Sequence, residues 1–167
     1  DASASTSLES ALDKLELETI DLAELLASKL PEYQDLYPTF TLNFNASQRA
    51  FIECDVERMV QVLDKLINNA AEHADADHPI DISLELEDQS VILKVADIGD
   101  PLAGDAHAIF EPFVSGKSRS TEAGFGFGLY VVKRIVESHG GTVTAASLED
   151  PPGAEFTVVL PGYAAQS

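Results

Sequence analysis

Asp55-Val-Glu-Arg58-Met-Val-Gln61-Val-Leu63-Asp-Lys65-Leu66-Ile-Asn-Asn69-Ala70-Ala-Glu-His73-Ala74 is the stretch that decides the architecture. Its apolar residues Val56, Met59, Val60, Leu63, Leu66, Ile67, Ala70 and Ala74 recur at three- and four-residue steps, which predicts a long helix burying one face. Asp55 suits its N-cap, because a short carboxylate accepts the free N–H groups of a first turn. On the border of the apolar arc, Lys65, Asn69 and His73 form an i, i+4, i+8 ridge at about 100° per residue. Their polar tips can face a cleft while the helix stays packed. An amide oxygen at Asn69 can serve Mg²⁺ as a hard ligand without adding charge. For the residue taken alone, the alternative is a solvated or capping amide.

Upstream, Leu8, Leu12, Leu15, Leu22, Leu25, Leu26 and Leu30 stand at helical spacing, interrupted at Thr19-Ile-Asp21 and stopped by Pro31. That pattern predicts one helix end followed by a second helix. Phe40, Leu42 and Phe44, then Phe51, Ile52 and Cys54, read as two strands around a turn at Asn45-Ala-Ser47. Downstream, Ile80 to Leu86 and Val91 to Val95 alternate with period two about a turn at Gln89, which predicts a hairpin. Asp97 follows that strand and precedes Gly99. Its carboxylate can accept from an exocyclic amine or serve turn chemistry.

Residues 99 to 123 are irregular and polar, and then Gly124-Phe125-Gly126-Phe127-Gly128-Leu129 opens an apolar helix. Glycine lacks a Cβ and takes positive φ cheaply, so backbone N–H groups there can approach an anion, and the helix N-terminus adds its dipole. Leu129, Val132, Ile135, Val136 and His139 lie on that helix, which Gly140-Gly141 stops, with His139 as a helix-end residue. Val143 to Leu148 and Phe156 to Leu160 close the chain as strands.

Composition sets the bounds. With 167 residues and 45% hydrophobic content, one ordinary α/β domain is expected. A formal charge of −19 argues against nucleic acid or an anionic membrane as partner, since both reward clustered Lys and Arg. Phosphate must then be met locally. Between Phe113 and Arg134, Lys117, Arg119, Lys133 and Arg134 stand against Glu122 alone, an island of positive charge that brackets the glycines. Lys117 and Arg119 are candidate phosphate contacts on a lid-like loop, or else residues of a solvated surface loop. Cys54 is the single cysteine and falls in an apolar run, as a core residue would. No apolar stretch approaches the ~18 residues of a membrane span, and a chain that begins at Asp1 without Met is expected to be a piece of a longer protein.

Read together, Asp55-x-x-Arg58 through Asn69-Ala70, Asp97-x-Gly99, Phe110-Glu-Pro-Phe113, and Gly124-x-Gly126-x-Gly128-Leu129 with Lys133, Glu137 and His139-Gly-Gly141 resemble the ATP-binding domain of sensor histidine kinases. The resemblance covers about residues 21 to 162 and contains that family's N, G1, F and G2 boxes in order. It implies an α/β two-layer sandwich of the Bergerat type, a mixed sheet packed on one side by about three helices. It implies further that residues 1–20 are the tail of a dimerisation helix with its linker, and 21–167 the catalytic domain. By the same resemblance, Asn69 binds Mg²⁺, Asp97 reads the adenine amine, Gly99 shapes the base pocket, and Gly124, Gly126 and Gly128 cradle phosphate, with Phe125, Phe127 and Leu129 in the same turn. His73 stands where the family often has a nucleotide-contacting aromatic or His. The implied activity is transfer of the γ-phosphate of ATP to a histidine in a separate dimerisation domain of the same protein. The implied partners are that domain and, through the full-length homodimer, a response regulator. The implied place is the cytoplasmic side of a protein anchored in the bacterial inner membrane.

Other nucleotide motifs fail. A P-loop ending at Gly116-Lys117-Ser118 would need glycine where Glu111 stands, and a dinucleotide fingerprint would need glycine at Leu129. Related gyrase, chaperone and mismatch-repair ATPases carry a general-base Glu four residues before the Mg²⁺ asparagine. Lys65 occupies that position here, which disfavours self-contained hydrolysis relative to phosphotransfer. Sensor kinases usually have Asn there, Gly at Pro101 and a small or hydroxylated residue at Phe125. These three departures leave a degenerate nucleotide binder of the same fold as the alternative.

Overall fold

The computed structural model describes residues 8–102, 106–112 and 128–165. Residues 8–12 are helical. There follow β1 (Glu18–Asp21), α1 (Leu22–Leu36), β2 (Leu42–Ala46), β3 (Ala50–Cys54), α2 (Val56–His73), β4 (Ile80–Glu87), β5 (Ser90–Ile98), a 3-10 turn (Ala108–Phe110), α3 (Gly128–Ser138), β6 (Thr142–Glu149), β7 (Pro152–Pro161) and β8 (Tyr163–Ala164). A five-stranded sheet runs in the order β2-β4-β5-β7-β6, with β2 and β4 parallel and every other pair antiparallel. A small sheet, β1-β3-β8, lies beside it.

Period-two alternation explains the layering. Ile82, Leu84 and Leu86 of β4 pair across β5 with Val95, Leu93 and Val91, and these in turn with Phe156, Val158 and Leu160 of β7. Nearly all of these are buried, which gives the sheet one apolar face. Leu22 and Leu26 of α1, Leu63, Leu66 and Ile67 of α2, and Val132, Ile135 and Val136 of α3 join the same core. Burying a leucine or isoleucine side chain contributes about 1.5–3 kcal/mol, so this shared face holds the helices to the sheet. No helix among the described residues is long and apolar enough to cross a membrane.

The Asp55 cap sits where the sequence puts it. Asp55 N-caps α2, its Oδ1 accepting the Arg58 N–H at 3.2 Å. Its second carboxylate oxygen accepts the Glu16 N–H at 3.1 Å, tying the segment before β1 to the start of α2. Burial pushes the Asp55 carboxyl upward, but those two N–H groups and the Arg58 charge outweigh it and hold the pKa below the usual value. Asp21 does the same for α1. Its Oδ1 accepts from Ala23 N–H and Ala50 N–H, both at 3.0 Å, while Arg49 Nε donates to Oδ2 at 3.0 Å.

Two sequence expectations need correction. Pro31 does not stop its helix: α1 runs on to Leu36. The buried face continues beyond it at Tyr33, whose hydroxyl donates to Asp64 of α2 at 2.7 Å. Tertiary anchoring therefore outweighs the one backbone bond that proline cannot donate. The two strands around Asn45-Ala-Ser47 both form, but in different sheets: β2 pairs with β4, and β3 with β1 and β8.

Candidate nucleotide site

The site is built where the C-terminal end of α2 meets the end of β5. Val91, Leu93 and Val95 put alternate side chains of β5 on the core face, and Asp97 continues that register at 1% exposure. A carboxylate thus replaces the next apolar side chain under the helix layer. On α2 the two neighbouring asparagines diverge. Asn68 is exposed, accepting from the Tyr37 hydroxyl at 2.9 Å and donating to Glu72 at 3.1 Å, whereas Asn69 turns inward and is 6% exposed.

Backbone contacts clamp the two elements together. Asp75 N–H donates to Ile98 O at 2.6 Å, Asp100 N–H to His73 O at 3.0 Å, and Ala74 bridges Gly99. Gly99 makes this approach possible, because a Cβ there would lie 2.2 Å from His73 O. On the other side, β7 crosses close to Asp97: a Cβ on Gly153 would lie 2.0 Å from Asp97 O. Gly153 was not among the candidate residues, and only the pairing of β5 with β7 reveals it as a support of the strand end that carries Asp97.

Two polar atoms at this junction fit a ligand. Asn69 Oδ1 and His73 Nε2 are buried and have no hydrogen-bond partner among the described residues. A buried polar atom left without a partner costs about 1–3 kcal/mol. A hard cation at Asn69 Oδ1 would remove that cost, so the donor fits Mg²⁺. The other imidazole nitrogen, His73 Nδ1, stands 3.7 Å from the Asp100 carboxylate.

The glycine turn is partly described. Gly128 opens α3, and Leu129 is buried beside it. Gly124, Phe125, Gly126, Phe127, Lys117 and Arg119 lie outside the described residues. Of the island of positive charge, Lys133 and Arg134 are among the described residues. Lys133 stands 3.8 Å from Glu111, and Arg134 3.4 Å from Glu9 of the helical residues 8–12, so both cations have acidic neighbours.

His139 ends α3 and does more than the sequence indicates. Its Nε2 accepts the Asp55 N–H at 3.1 Å, and its Nδ1 lies 2.7 Å from Ile135 O, which places the proton on Nδ1. The end of α3 is thereby joined to the start of α2, the helix that carries Asn69. No local periodicity signals this contact, since 84 positions separate the partners.

Known proteins share this fold. The family of histidine kinase-, DNA gyrase B- and HSP90-like ATPases matches residues 54–164. Sensor histidine kinase ZraS of Escherichia coli O157:H7 is 35% identical over 154 residues, covering 88% of this chain and 32% of that protein. The chain therefore spans about a third of the length of this relative. The structure of a mycobacterial sensor histidine kinase, MprB, shares the fold with a TM-score of 0.79 at 23% identity, over 89% of this chain and 100% of that one. Full-length ShkA, solved in complex with AMPPNP, has a TM-score of 0.77 at 26% identity, covering 96% of this chain and 34% of that one. A mixed sheet carrying helices on one face accords with these matches, and the chain belongs to the histidine kinase-, DNA gyrase B- and HSP90-like ATPase family as an ATP-binding domain of the sensor histidine kinase kind.

Proposed function

We propose that this chain is the catalytic part of a two-component sensor histidine kinase, binding Mg-ATP at the α2–β5 junction and presenting the γ-phosphate to a histidine in a separate dimerisation domain. The observation that carries the reading is the buried Asn69 Oδ1 without a partner among the described residues, on the helix clamped to the end of the Asp97 strand. Asn69 would hold Mg²⁺, which supplies charge neutralisation on the phosphates when bound. Asp97 accepts the exocyclic amine of adenine, and Gly99 leaves room for the base. Gly124, Gly126 and Gly128 offer backbone N–H groups to phosphate, with Phe125, Phe127, Leu129 and His73 beside them, while Lys117 and Arg119 contact phosphate from the loop. Catalysis by such a set is positioning and electrostatics, with the nucleophile supplied from outside.

Residues 1–20 form the tail of the dimerisation helix and its linker, and 21–167 the catalytic domain. The partners are the phosphoacceptor domain of the same homodimeric protein and a response regulator. The parent is anchored in a bacterial inner membrane with this domain on the cytoplasmic side. Calorimetric titration tests the site. One Mg-ATP per chain is expected, with affinity that falls when EDTA replaces Mg²⁺ and that becomes indifferent to EDTA in Asn69→Ala. Absence of binding, or an Asn69→Ala variant with the parent's Mg²⁺ dependence, would overturn the assignment.

A further inference from the structure

Among the described residues Lys65 is a cation with no carboxylate within ion-pair distance, in a chain with 29 acidic residues against 10 Lys and Arg. Lys29, Arg49, Arg58, Lys133 and Arg134 each stand within 3.8 Å of a carboxylate. Lys65 has no such partner among the described residues. Lys14 and Lys94 share that property, but Lys14 is exposed in the segment before β1, and Lys94 occupies the alternate register of β5, facing away from the core. Lys65 is half-buried on α2, one helical turn before Asn69 and two before His73. Residues at this spacing are neighbours, with Cβ atoms about 5–6 Å apart. The two positions that follow it on the ridge carry Asn69 Oδ1 and His73 Nε2, two buried atoms that lack partners among the described residues.

We propose that Lys65 is a phosphate-binding residue of the nucleotide site, pairing its ammonium with the terminal phosphates of Mg-ATP and setting a preference for the triphosphate over adenosine. The inference rests on the nucleotide-site reading above. A site in a chain of net charge −19 repels a polyanion at long range, so affinity for the phosphates depends on cations placed locally. With no carboxylate paired to it among the described residues, this half-buried ammonium offers its charge to the ligand. The same charge explains a chemical choice. A carboxylate at this position would accept a proton from water beside the γ-phosphate, whereas a protonated lysine has no lone pair to do so. Lys65 therefore holds the phosphate chain without activating water against it.

The test is calorimetric titration of Mg-ATP and adenosine into the parent, Lys65→Gln and Lys65→Arg, each at low and at physiological salt. Lys65→Gln is expected to weaken Mg-ATP about tenfold, the loss of one charge-assisted contact, while adenosine affinity stays within about twofold. Lys65→Arg, which keeps the charge, is expected to retain most of the Mg-ATP affinity. The Mg-ATP affinity of the parent should fall more steeply with salt than that of Lys65→Gln. A Lys65→Gln variant with the parent's Mg-ATP affinity would overturn the proposal, as would equal losses for Mg-ATP and adenosine. A parent that binds neither ligand would instead overturn the nucleotide site itself, and Lys65 with it.

Discussion

Asp97→Ala is expected to abolish the stabilisation by Mg-ATP that the proposed site predicts. Ligand at 100 times its dissociation constant contributes about 2.7 kcal/mol to a folded state that binds it. For a chain of this size that is roughly 5–10 °C in the unfolding midpoint. Asp97 is the carboxylate that the β5 register places on the core face at the clamped end of the sheet, at 1% exposure. If Asp97 reads adenine as proposed, a small apolar residue there leaves the amine without its acceptor, and a polar ligand atom left unpaired costs more than the bond itself contributes. The unliganded variant serves as its own reference, so any change in intrinsic stability is separated from the response to nucleotide. A midpoint that still rises with Mg-ATP as in the parent would remove Asp97 from the base pocket.

Gly99→Val is expected to damage both the fold and the site. A Cβ at this position would meet His73 O at 2.2 Å and Ala74 Cα at 2.9 Å, and all of these are backbone atoms that no rotamer change can clear. Relief requires α2 and β5 to separate at the end that carries Asn69 and Asp97, breaking the Asp75–Ile98 and Asp100–His73 bonds. Overpacking of this kind costs about 3 kcal/mol, which lowers the midpoint by roughly 6–12 °C. Nucleotide binding should be lost at temperatures where the variant is still folded. Thermal unfolding followed by circular dichroism, with and without Mg-ATP, measures both effects. A variant with the parent's midpoint and response would show that the approach of α2 to β5 does not shape the site.

The legible parts of this molecule are those fixed by local chemistry. A capping Asp55, a 3.6-residue apolar repeat and a polar ridge give α2 to within a residue, and strict alternation gives β4 and β5 with the turn between them. Asp97 was legible as a candidate because it prolongs an alternating strand, and Gly99 because it follows at once. What escaped is non-local. Pro31 reads as a stop because the backbone argument is local, while Tyr33 and Asp64, which carry the helix past it, are 31 positions apart. β2 and β3 are adjacent in sequence yet belong to different sheets, because β2 finds its parallel partner in β4 and β3 finds its partners at the two ends of the chain. Lys133 and Arg134 read as cations beside the glycine turn, but Glu111 and Glu9 lie against them in the fold. The bond between His139 and Asp55 and the support of Gly153 under Asp97 appear only once strands and helices are docked.

The division of labour between this chain and a separate phosphoacceptor domain is tested most directly by incubation with ATP labelled at the γ-phosphate. The proposed phosphoacceptor is none of the four histidines of this chain, His73, His78, His107 and His139. No acid-labile label is expected on this chain alone, with label on the acceptor histidine when the chain is joined to, or mixed with, the dimerisation hairpin proposed for its parent protein. Robust acid-labile label on any of the four histidines here, or an acceptor hairpin that remains unlabelled beside a chain shown to bind Mg-ATP, would contradict it.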